Sequence, residues 1–274
     1  MKTVCSQNNQ EGLLLVPSVA KIKKIIRKVV FGSHVHCPWC HSRQVFQSEQ
    51  RYRCRRCRKP FSLTSGTWLN NLKLELTTFY RLLWCWCNHL PIPQTQRCSG
   101  VSELTVRNWY EKFRVHIPKD LSLLTLKDQV QMDEAFFHKQ AVVAAKDVLA
   151  KKVCLRVLDQ AHVQKQHVGQ FVVRHIEPGS QLFTDGGGHY KGIGKLWPVH
   201  HQWEVHSRWE FALTSEIEGL FGNLRTYIRR KYHHVHRSKL PLVVAEFEAF
   251  FNHPELFENP TNYLTKSLKL VPSC

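Results

Sequence analysis

The sequence predicts an α/β domain in its C-terminal half, preceded by a small cysteine-rich ribbon and an all-helical region. Strand-like apolar runs cover Val130–Phe137, Val153–Leu158 and Gln181–Thr184. Helical patterns cover Gly169–His175, the stretch from Thr214 to Tyr232, and Leu240–Phe251. Strands and helices within one unit are typical of an α/β fold. Two Cys-x-x-Cys pairs lie ahead of all these elements, and paired cysteines are typical of a small metal-stabilised module.

Composition narrows the class of partner. The 274-residue chain has 39 Lys+Arg against 21 Asp+Glu, a formal net charge of +18. Nucleic acid is the first candidate because its phosphates absorb such an excess, and an anionic membrane surface is the second. No apolar run approaches the ~18 residues of a spanning helix. The short run Leu13–Val16 precedes the basic cluster, unlike a signal peptide. We therefore expect a cytoplasmic, nucleoid-associated protein without a membrane partner.

We predict five segments in chain order. They are a basic lead-in at 1–33, a ribbon at 34–68, a helix-turn-helix region at 69–120, the α/β domain at 125–255 and a C-terminal tail at 256–274. In the lead-in, Ser18 is placed to cap a short amphipathic helix. The charged face of this helix is either simply solvated or an arm that contacts phosphates, and it consists of Lys21, Lys23, Lys24, Arg27 and Lys28.

The ribbon is predicted from its cysteine spacing. Cys37-Pro38-Trp39-Cys40 and Cys54-Arg55-Arg56-Cys57 are separated by 13 residues, so two tight turns can bring four thiolates to the corners of a tetrahedron. Zn²⁺ prefers that geometry, and its binding would supply the folding energy of a module with almost no apolar core. Two disulfides or free thiols are the alternative. The remaining six cysteines are interpreted as ordinary thiols: Cys5, Cys85, Cys87, Cys98, Cys154 and Cys274.

Basic residues crowd this ribbon, so we predict that it binds nucleic acid, with Arg55 and Arg56 as contacts. Next along the chain, Leu76–Leu90 has the pattern of a buried helix, and Leu90-Pro91-Ile92-Pro93 interrupts the helical pattern. The stretch from Gln94 to Phe113 has the pattern of a helix-turn-helix.

Within that stretch, Ser99-Gly100 forms the turn and Ser102 is an N-cap. The inward positions are Val106, Trp109, Tyr110 and Phe113. The second helix of such a unit lies in the major groove, which makes Thr105, Arg107 and Asn108 the candidates to contact base edges. A helical hairpin without a DNA function is the alternative.

Three acidic residues stand in contexts that suit catalysis. Asp133 lies near the end of one apolar strand pattern. Asp185 ends another and precedes three glycines, which would let a substrate backbone approach closely. Glu218 lies at the start of a helix whose apolar stripe is Ile217, Leu220, Phe221, Leu224 and Ile228. Arg225 and Arg229 share the face of Glu218 on that helix. Glu216 is a rival to Glu218.

Carboxylates from two strands and one helix can converge on a pair of Mg²⁺ ions, which take oxygen ligands. Two ions ~3.5–4 Å apart can clamp the attacking and leaving oxygens of an in-line phosphoryl displacement, while nearby cations hold the flanking phosphates. For any one acid, a surface or capping carboxylate is the simpler explanation. The three together, at intervals of 52 and 33 residues, favour catalysis.

From about Cys37 to Phe251 the chain resembles the zinc-ribbon-bearing DDE transposases of bacterial insertion sequences, the ISXO2-like group. The motifs that carry the resemblance are, in order, Cys37-Pro38-x-Cys40, Cys54-x-x-Cys57 followed by Phe61-Ser62 and Thr64-Ser65-Gly66-Thr67, Met132-Asp133-Glu134, Thr184-Asp185-Gly186, Val205-His206-Ser207, Ile217-Glu218-Gly219 and Tyr232-His233-His234-Val235. Each motif alone is weak evidence, but their order is specific.

The resemblance implies an RNase H-like fold for the α/β domain, with Asp133, Asp185 and Glu218 as ligands of Mg²⁺ (or Mn²⁺). It also implies a basic residue seven places after the glutamate, here Arg225 where lysine is usual. His206 matches a family motif and is a candidate to contact phosphate or donate a proton. The neighbouring His233, His234 and His236 form either a second metal site or ordinary DNA-facing or core imidazoles.

The implied function is metal-dependent cleavage at the ends of an insertion sequence, followed by strand transfer into target DNA. The ribbon and the helix-turn-helix would bind the terminal inverted repeats, with at least two subunits on double-stranded DNA. Two other functions remain open: a decayed transposase that acts as a zinc-dependent DNA-binding regulator, and a structure-specific RNase H-like nuclease that cleaves without joining.

Overall fold

The computed structural model describes residues 16–49, 51–122, 124–137, 139–204 and 214–270. Cys5, Cys274 and His206, which the sequence singles out, lie outside these residues. The chain divides into two compact units, one comprising Met1–Ile117 with Glu255–Cys274 and the other Pro118–Pro254.

The secondary structure follows the chain in this order. The helices are α1 (Val19–Phe31), α2 (Leu76–Cys87), α3 (Ile92–Ser99), α4 (Glu103–Val115), α5 (Lys165–His175), α6 (Ile193–Leu196), α7 (Ser215–Tyr232), α8 (Leu240–Asn252) and α9 (Pro260–Ser267). The strands are β1 (Val45–Ser48), β2 (Arg51–Cys54), β3 (Pro60–Phe61), β4 (Gln129–Phe137), β5 (Gln140–Asp147), β6 (Lys152–Val157), β7 (Gln181–Asp185) and β8 (His200–Glu204).

Helix α1 has the predicted cap and the predicted two faces. The Ser18 hydroxyl accepts a hydrogen bond from the Lys21 backbone N–H at 3.4 Å, which satisfies one free donor at the helix start. Ile22, Ile26 and Val30 are buried, each four residues from the next, while all five predicted cations are exposed. Residues 19–31 of the lead-in therefore form a regular helix that is buried along one face.

Helices α2 and α3 confirm the predicted break in the helical pattern and correct the end of the first helix. Helix α2 ends at Cys87 rather than Leu90 because the Asn88 side chain donates to the Trp84 carbonyl at 2.8 Å and His89 takes a positive φ of 55°. The predicted interruption is confirmed: residues 88–91 separate α2 from α3, and Pro91 is the N-cap of α3.

The turn between α3 and α4 is as predicted. Gly100 takes a left-handed φ of 71°, which glycine adopts without a steric cost, and the Ser102 hydroxyl accepts from the Thr105 N–H. The four inward positions of α4 are buried.

The segment predicted only as a C-terminal tail contains α9 and belongs to the first unit. The fully buried Tyr263 donates its hydroxyl hydrogen to the Phe113 carbonyl at 2.8 Å. The Trp68 indole donates to the Ser267 carbonyl at 3.1 Å. The local sequence does carry a helix start, Asn259 followed by Pro260, but eight residues are too few for a clear apolar period.

The second unit is built on a five-stranded mixed sheet with the order β6-β5-β4-β7-β8. Strand β5 runs antiparallel to both β4 and β6, whereas β7 is parallel to β4 and β8 is parallel to β7. This arrangement is compatible with an RNase H-like fold. Strands β5 and β8 were not predicted. Strand β5 is almost entirely buried, so it lacks the polar alternation that marks a strand, and β8 is dominated by polar residues.

The two faces of this sheet pack against different helices. Met132 and Leu182 share one apolar cluster with Val168 and Val172 of α5. On β4, Gln131 instead accepts a hydrogen bond from the Ile217 backbone N–H of α7 at 3.0 Å. Because side chains alternate along a strand, Asp133 lies on the α7 face and Glu134 lies on the α5 face.

Helix α8 covers the edge strand β6 through polar side chains. The Asn252 side chain accepts from the Val153 N–H at 2.9 Å and donates to the Val153 carbonyl at 2.7 Å. One helical turn earlier, the Glu248 carboxylate accepts from the Leu155 N–H at 2.7 Å. Four residues of helix and two residues of strand both span ~6 Å, so the two spacings match.

Helices α7 and α8 are joined by a buried ion pair. The Lys231 ammonium lies 2.6 Å from the Glu246 carboxylate, and both side chains are almost fully buried. The Tyr232 hydroxyl donates to the same carboxylate at 2.5 Å. The pair fixes the C-terminal half of α7, the helix that carries Glu218.

Lys231→Met should lower the free energy of unfolding by about 3–5 kcal/mol, because it leaves the Glu246 charge buried without its cation. Urea unfolding of the full chain, followed by circular dichroism, measures this. The double variant Lys231→Met/Glu246→Leu should recover much of the loss, and the exposed Lys195→Met serves as a matched control. A single variant as stable as the unmutated protein would contradict the assignment.

Candidate active site and zinc ribbon

The four predicted zinc ligands converge. The sulfurs of Cys37, Cys40, Cys54 and Cys57 all lie within 4.8 Å of one another. Two sulfurs each ~2.3 Å from a tetrahedral ion stand about 3.8 Å apart. The Cys37–Cys57 and Cys40–Cys54 sulfur separations are 3.5 and 3.6 Å, close to that value and far from the ~2.05 Å of a disulfide. The thiols are free, so the disulfide alternative is wrong.

The two knuckles repeat one backbone geometry. In each, the residue after the second cysteine takes a positive φ: 57° at His41 and 61° at Arg58. In the second knuckle the Cys57 N–H donates to the Cys54 sulfur at 3.5 Å. Such backbone hydrogen bonds, the largest cause, lower the pKa of Cys54 to about 6 and favour the thiolate that binds metal.

The basic residues of the ribbon face solvent. Arg55 and Arg56 are exposed, and the Arg55 guanidinium lies 5.7 Å from the centre of the half-exposed Phe46 ring. The other exposed cations of this module are Arg43, Arg51, Arg53, Arg58 and Lys59. The surface is thus strongly positive and open to a polyanion.

The three predicted base-contacting residues lie near the start of α4 in different local settings. Arg107 pairs with Glu103 at 2.7 Å, with both side chains about half exposed. The Thr105 hydroxyl lies 2.9 Å from that of Ser102, and Asn108 is exposed. An exposed ion pair contributes little free energy, so DNA phosphates or bases can compete for Arg107.

Two of the three predicted acidic residues lie on neighbouring strands of the sheet. Strands β4 and β7 pair in parallel as far as Gln131 opposite Phe183, and Asp133 and Asp185 each stand two residues beyond this last pair. Asp185 ends its strand as predicted. Asp133 is not near a strand end, because β4 continues to Phe137 through residues paired with β5. Both side chains point to the α7 face.

The third acid, Glu218, lies on α7, which packs over the same face of the sheet. The hydrogen bond between Gln131 and the Ile217 N–H holds the first turn of α7 over β4, and Glu218 is the next residue. Burial, followed by the charges of Glu134, Asp185 and Glu218, raises the pKa of Asp133 to about 6. These three carboxylates are thus close enough to Asp133 to disfavour its charge.

Groups of three or more His, Cys, Asp or Glu side chains can hold a metal ion when their ligand atoms lie close together. In the part of the chain that the structure describes, only the cysteine quartet brings such atoms within 4.8 Å of one another. The acids therefore lie within electrostatic range without meeting at ligand spacing. Like charges repel at short distance, and a divalent cation would offset that repulsion.

The glycine run after β7 has an internal role. The Gly187 N–H donates to the Asp185 carboxylate at 3.1 Å. A β-carbon at Gly187 would lie 2.9 Å from the Asp185 oxygen and 2.9 Å from the His189 ring. Close approach to a substrate was the sequence-based reason for these glycines; at Gly187 the close approach is within the chain itself.

Glu216 and Glu218 occupy different surroundings. Glu216 forms an ion pair with Lys146 of β5, whose hydrogen bond, followed by its charge, lowers the pKa of Glu216. Glu218 contributes instead to the field at Asp133. The geometry favours Glu218 as the third member of the acidic group.

Glu218→Gln should therefore reduce metal-dependent DNA cleavage by more than about a hundredfold, since losing even an outer partner of a metal ligand typically costs 10–100-fold. Glu216→Gln should change cleavage less than about threefold, because the Glu216 carboxylate is paired with Lys146. Single-turnover cleavage rates of the two variants decide between them. The opposite ranking would make Glu216 the ligand.

The two basic residues of α7 lie further along the same helix. Arg225 and Arg229 are exposed, and the Arg225 guanidinium lies 5.6 Å from the centre of the Phe137 ring at the end of β4. Seven helical residues advance ~10 Å, so Arg225 stands about 10 Å along α7 from Glu218.

Three residues without a predicted role meet beside Asp133: Glu134, His189 and Tyr190. Glu134 accepts hydrogen bonds from Tyr190 and pairs with His189, on the α5 face. The adjacency of Glu134 to Asp133 was the available signal. The three histidines after α7 form no metal-ligand group within the described residues.

Two family models match the chain. Residues 125–252 match the ISXO2-like transposase domain, and residues 17–60, which include α1, match the transposase zinc-ribbon domain. Together they cover more than half of the chain. No curated protein matches it.

Among solved structures, a similar chain occurs in a cryo-EM structure of the simian T-cell lymphotropic virus intasome in complex with PP2A regulatory subunit B56 gamma. It is 12% identical with a TM-score of 0.37, and the match covers 63% of this chain and 68% of that chain. Within the described residues, no helix is both long and apolar enough to cross a bilayer.

Proposed function

The chain belongs to the zinc-ribbon-bearing ISXO2-like transposases, and on that premise we propose that it cleaves DNA at the ends of an insertion sequence and joins them to a target. One observation supports the proposal for this chain: Asp133 is buried on the α7 face of the sheet, and the charges of Asp185 and Glu218 act on it there. The sheet order supports an RNase H-like fold for this unit.

The donor set fits a hard divalent cation. Carboxylate oxygens are the ligands that Mg²⁺ and Mn²⁺ prefer, and Asp133, Asp185 and Glu218 would hold the ions. When bound, such ions polarise the phosphodiester and activate the attacking oxygen. The chain's own part is to orient these carboxylates and to bind the flanking phosphates through Arg225 and Arg229.

Recognition of the DNA ends falls to the first unit. The exposed cations of the ribbon and of α1 suit the phosphate backbone. We assign base contacts in the terminal inverted repeats to Thr105, Arg107 and Asn108, with α3 and α4 acting as a helix-turn-helix. Because two ends must be joined to one target, we propose that two or more copies assemble on DNA.

A defined reaction tests this function. The full-length protein is incubated with Mg²⁺, a supercoiled target plasmid and duplexes that carry the inverted repeats flanking its gene. We expect 3′-hydroxyl ends to be released and then joined covalently to the plasmid. Cleavage without joining would identify a nuclease instead. Sequence-specific binding with neither reaction would identify a decayed transposase that serves as a regulator.

A further inference from the structure

Glu134 occupies the face of β4 opposite to Asp133. Its side chain is only 12% exposed. Its carboxylate accepts a hydrogen bond from the Tyr190 hydroxyl at 2.5 Å and lies 3.1 Å from Nε2 of His189. A carboxylate so far removed from solvent is stable only with such partners. Both partners come from the short turn that follows the glycine run.

Tyr190 is a fixed point for this contact. It is 1% exposed and belongs to the apolar cluster beneath α5. Its ring is therefore held in place by the surrounding core. Glu134, within the central strand of the sheet, and Tyr190, within the core, together hold one end of the segment 186–190.

The other end of that segment is Asp185. Between them stand Gly186, Gly187 and Gly188, which have more conformational freedom than any other residues. The path leaves β7 on the α7 face, at Asp185, and reaches the α5 face, at Tyr190. If nothing held segment 186–190 in place, its three glycines would leave the Asp185 carboxylate poorly oriented.

Glu134 holds this segment in place, a role called the tether below, and its effect reaches Asp185 through three contacts. His189, held by Glu134, packs its ring where a β-carbon of Gly187 would stand. The N–H of Gly187 in turn donates to the Asp185 carboxylate. Glu134, His189, Gly187 and Asp185 thus form one connected path around the end of the sheet.

We propose that Glu134 is a positioning residue: it holds the glycine segment so that the Asp185 carboxylate faces Asp133 and Glu218. The role concerns the cation site and so rests on the proposed function. Glu134 is not itself a ligand, because its carboxylate points to the opposite face and is engaged by Tyr190 and His189.

Hydrogen exchange on the full-length, metal-free protein tests the tether directly. Glu134→Ala should speed amide exchange in segment 186–190 by about tenfold or more, because the hydrogen bond from the Gly187 N–H to the Asp185 carboxylate is no longer held in place. Glu134→Gln, which can still accept from Tyr190 and contact His189, should stay near the unmutated rate. The exposed Glu177→Gln is the matched control. Unchanged exchange in Glu134→Ala would overturn the proposal.

Mn²⁺ binding, measured by electron paramagnetic resonance without DNA, tests the consequence. We expect Asp133→Asn to abolish one Mn²⁺ site. Glu134→Ala should weaken Mn²⁺ binding at that same site by about 10–100-fold, as for other outer partners of metal ligands, and Glu134→Gln should restore the affinity. If Glu134 were a ligand, the glutamine variant would fail like the alanine variant. If Glu134 only stabilised the fold, unfolding would shift while Mn²⁺ affinity stayed unchanged, and the proposal would be wrong. If the unmutated protein shows no site that depends on Asp133, the proposed function fails, although faster exchange would still establish the tether.

Discussion

Asp133→Asn should abolish Mg²⁺-dependent cleavage and strand transfer while DNA binding persists. Asp133 is buried where the charges of Asp185 and Glu218 act on it, so it is the central member of the acidic group. An amide of the same shape keeps the packing but removes the charge that attracts the cation. We expect at least a hundredfold loss of single-turnover rate, above the ~10–100-fold typical of outer partners of metal ligands.

The same substitution should leave the metal-free protein as stable or more stable. Burial, followed by the nearby carboxylates, raises the pKa of Asp133 from 3.8 to about 6 in the folded protein. The folded state therefore holds this proton more tightly than the unfolded state does. The resulting destabilisation is absent below pH ~4, develops as the pH rises, and is complete above pH ~6. Asparagine removes it.

Two measurements check this first prediction. Thermal unfolding should show a larger gain for Asp133→Asn at pH 8 than at pH 4, and fluorescence anisotropy should show unchanged DNA affinity. Asp128→Asn is the matched control, because Asp128 is exposed just before β4 and asparagine tolerates its positive φ of 58°. Strand transfer by Asp133→Asn at the normal rate would exclude this acid from the reaction.

Loss of one ribbon cysteine should unfold the ribbon and weaken DNA binding. In Cys54→Ser, three thiolates remain where Zn²⁺ needs four ligands. Structural zinc contributes apparent binding energies of about 10–16 kcal/mol in small zinc modules, so little else can hold three short strands together. We expect zinc below one ion per chain, at least about tenfold weaker DNA binding and a shallower salt dependence, because the ribbon's exposed cations lose their common frame.

Elemental analysis and DNA titrations at several salt concentrations measure these effects. The matched control is Cys98→Ser, a half-buried thiol outside the quartet, which should keep its zinc. The β-structure of the second unit should persist in Cys54→Ser, since its sheet shares no strand with the ribbon. A Cys54→Ser protein with full zinc and full DNA affinity would contradict the four-cysteine site.

The features predicted from the sequence are those that local spacing encodes. Two Cys-x-x-Cys pairs specify a ribbon because a tetrahedral ion needs them at that separation. Gly100 and Ser102 mark a turn because each satisfies a backbone requirement within a few residues. Asp133 and Asp185 were identified as candidates for a similar reason: each stands in an apolar strand pattern that is visible over a few residues.

The features that were missed depend on distant contacts. Strand β5 carries small buried residues whose partners lie on β4 and β6. The tail becomes a helix in the first unit through contacts such as that between Tyr263 and Phe113, 150 residues apart. Glu134 meets His189 and Tyr190 across 55 and 56 residues, which no periodicity reveals.

The side chains of α8 that bind β6 affect how copies of this chain can pair with one another when they are close together. An edge strand with free backbone groups is a template on which another chain can add a strand, and copies gathered on the same DNA would be exposed to that hazard. At β6 the Asn252 amide and the Glu248 carboxylate already occupy the groups through which such growth would begin. Copies concentrated on DNA should therefore resist sheet-to-sheet polymerisation along this side and stay dispersed at high local concentration.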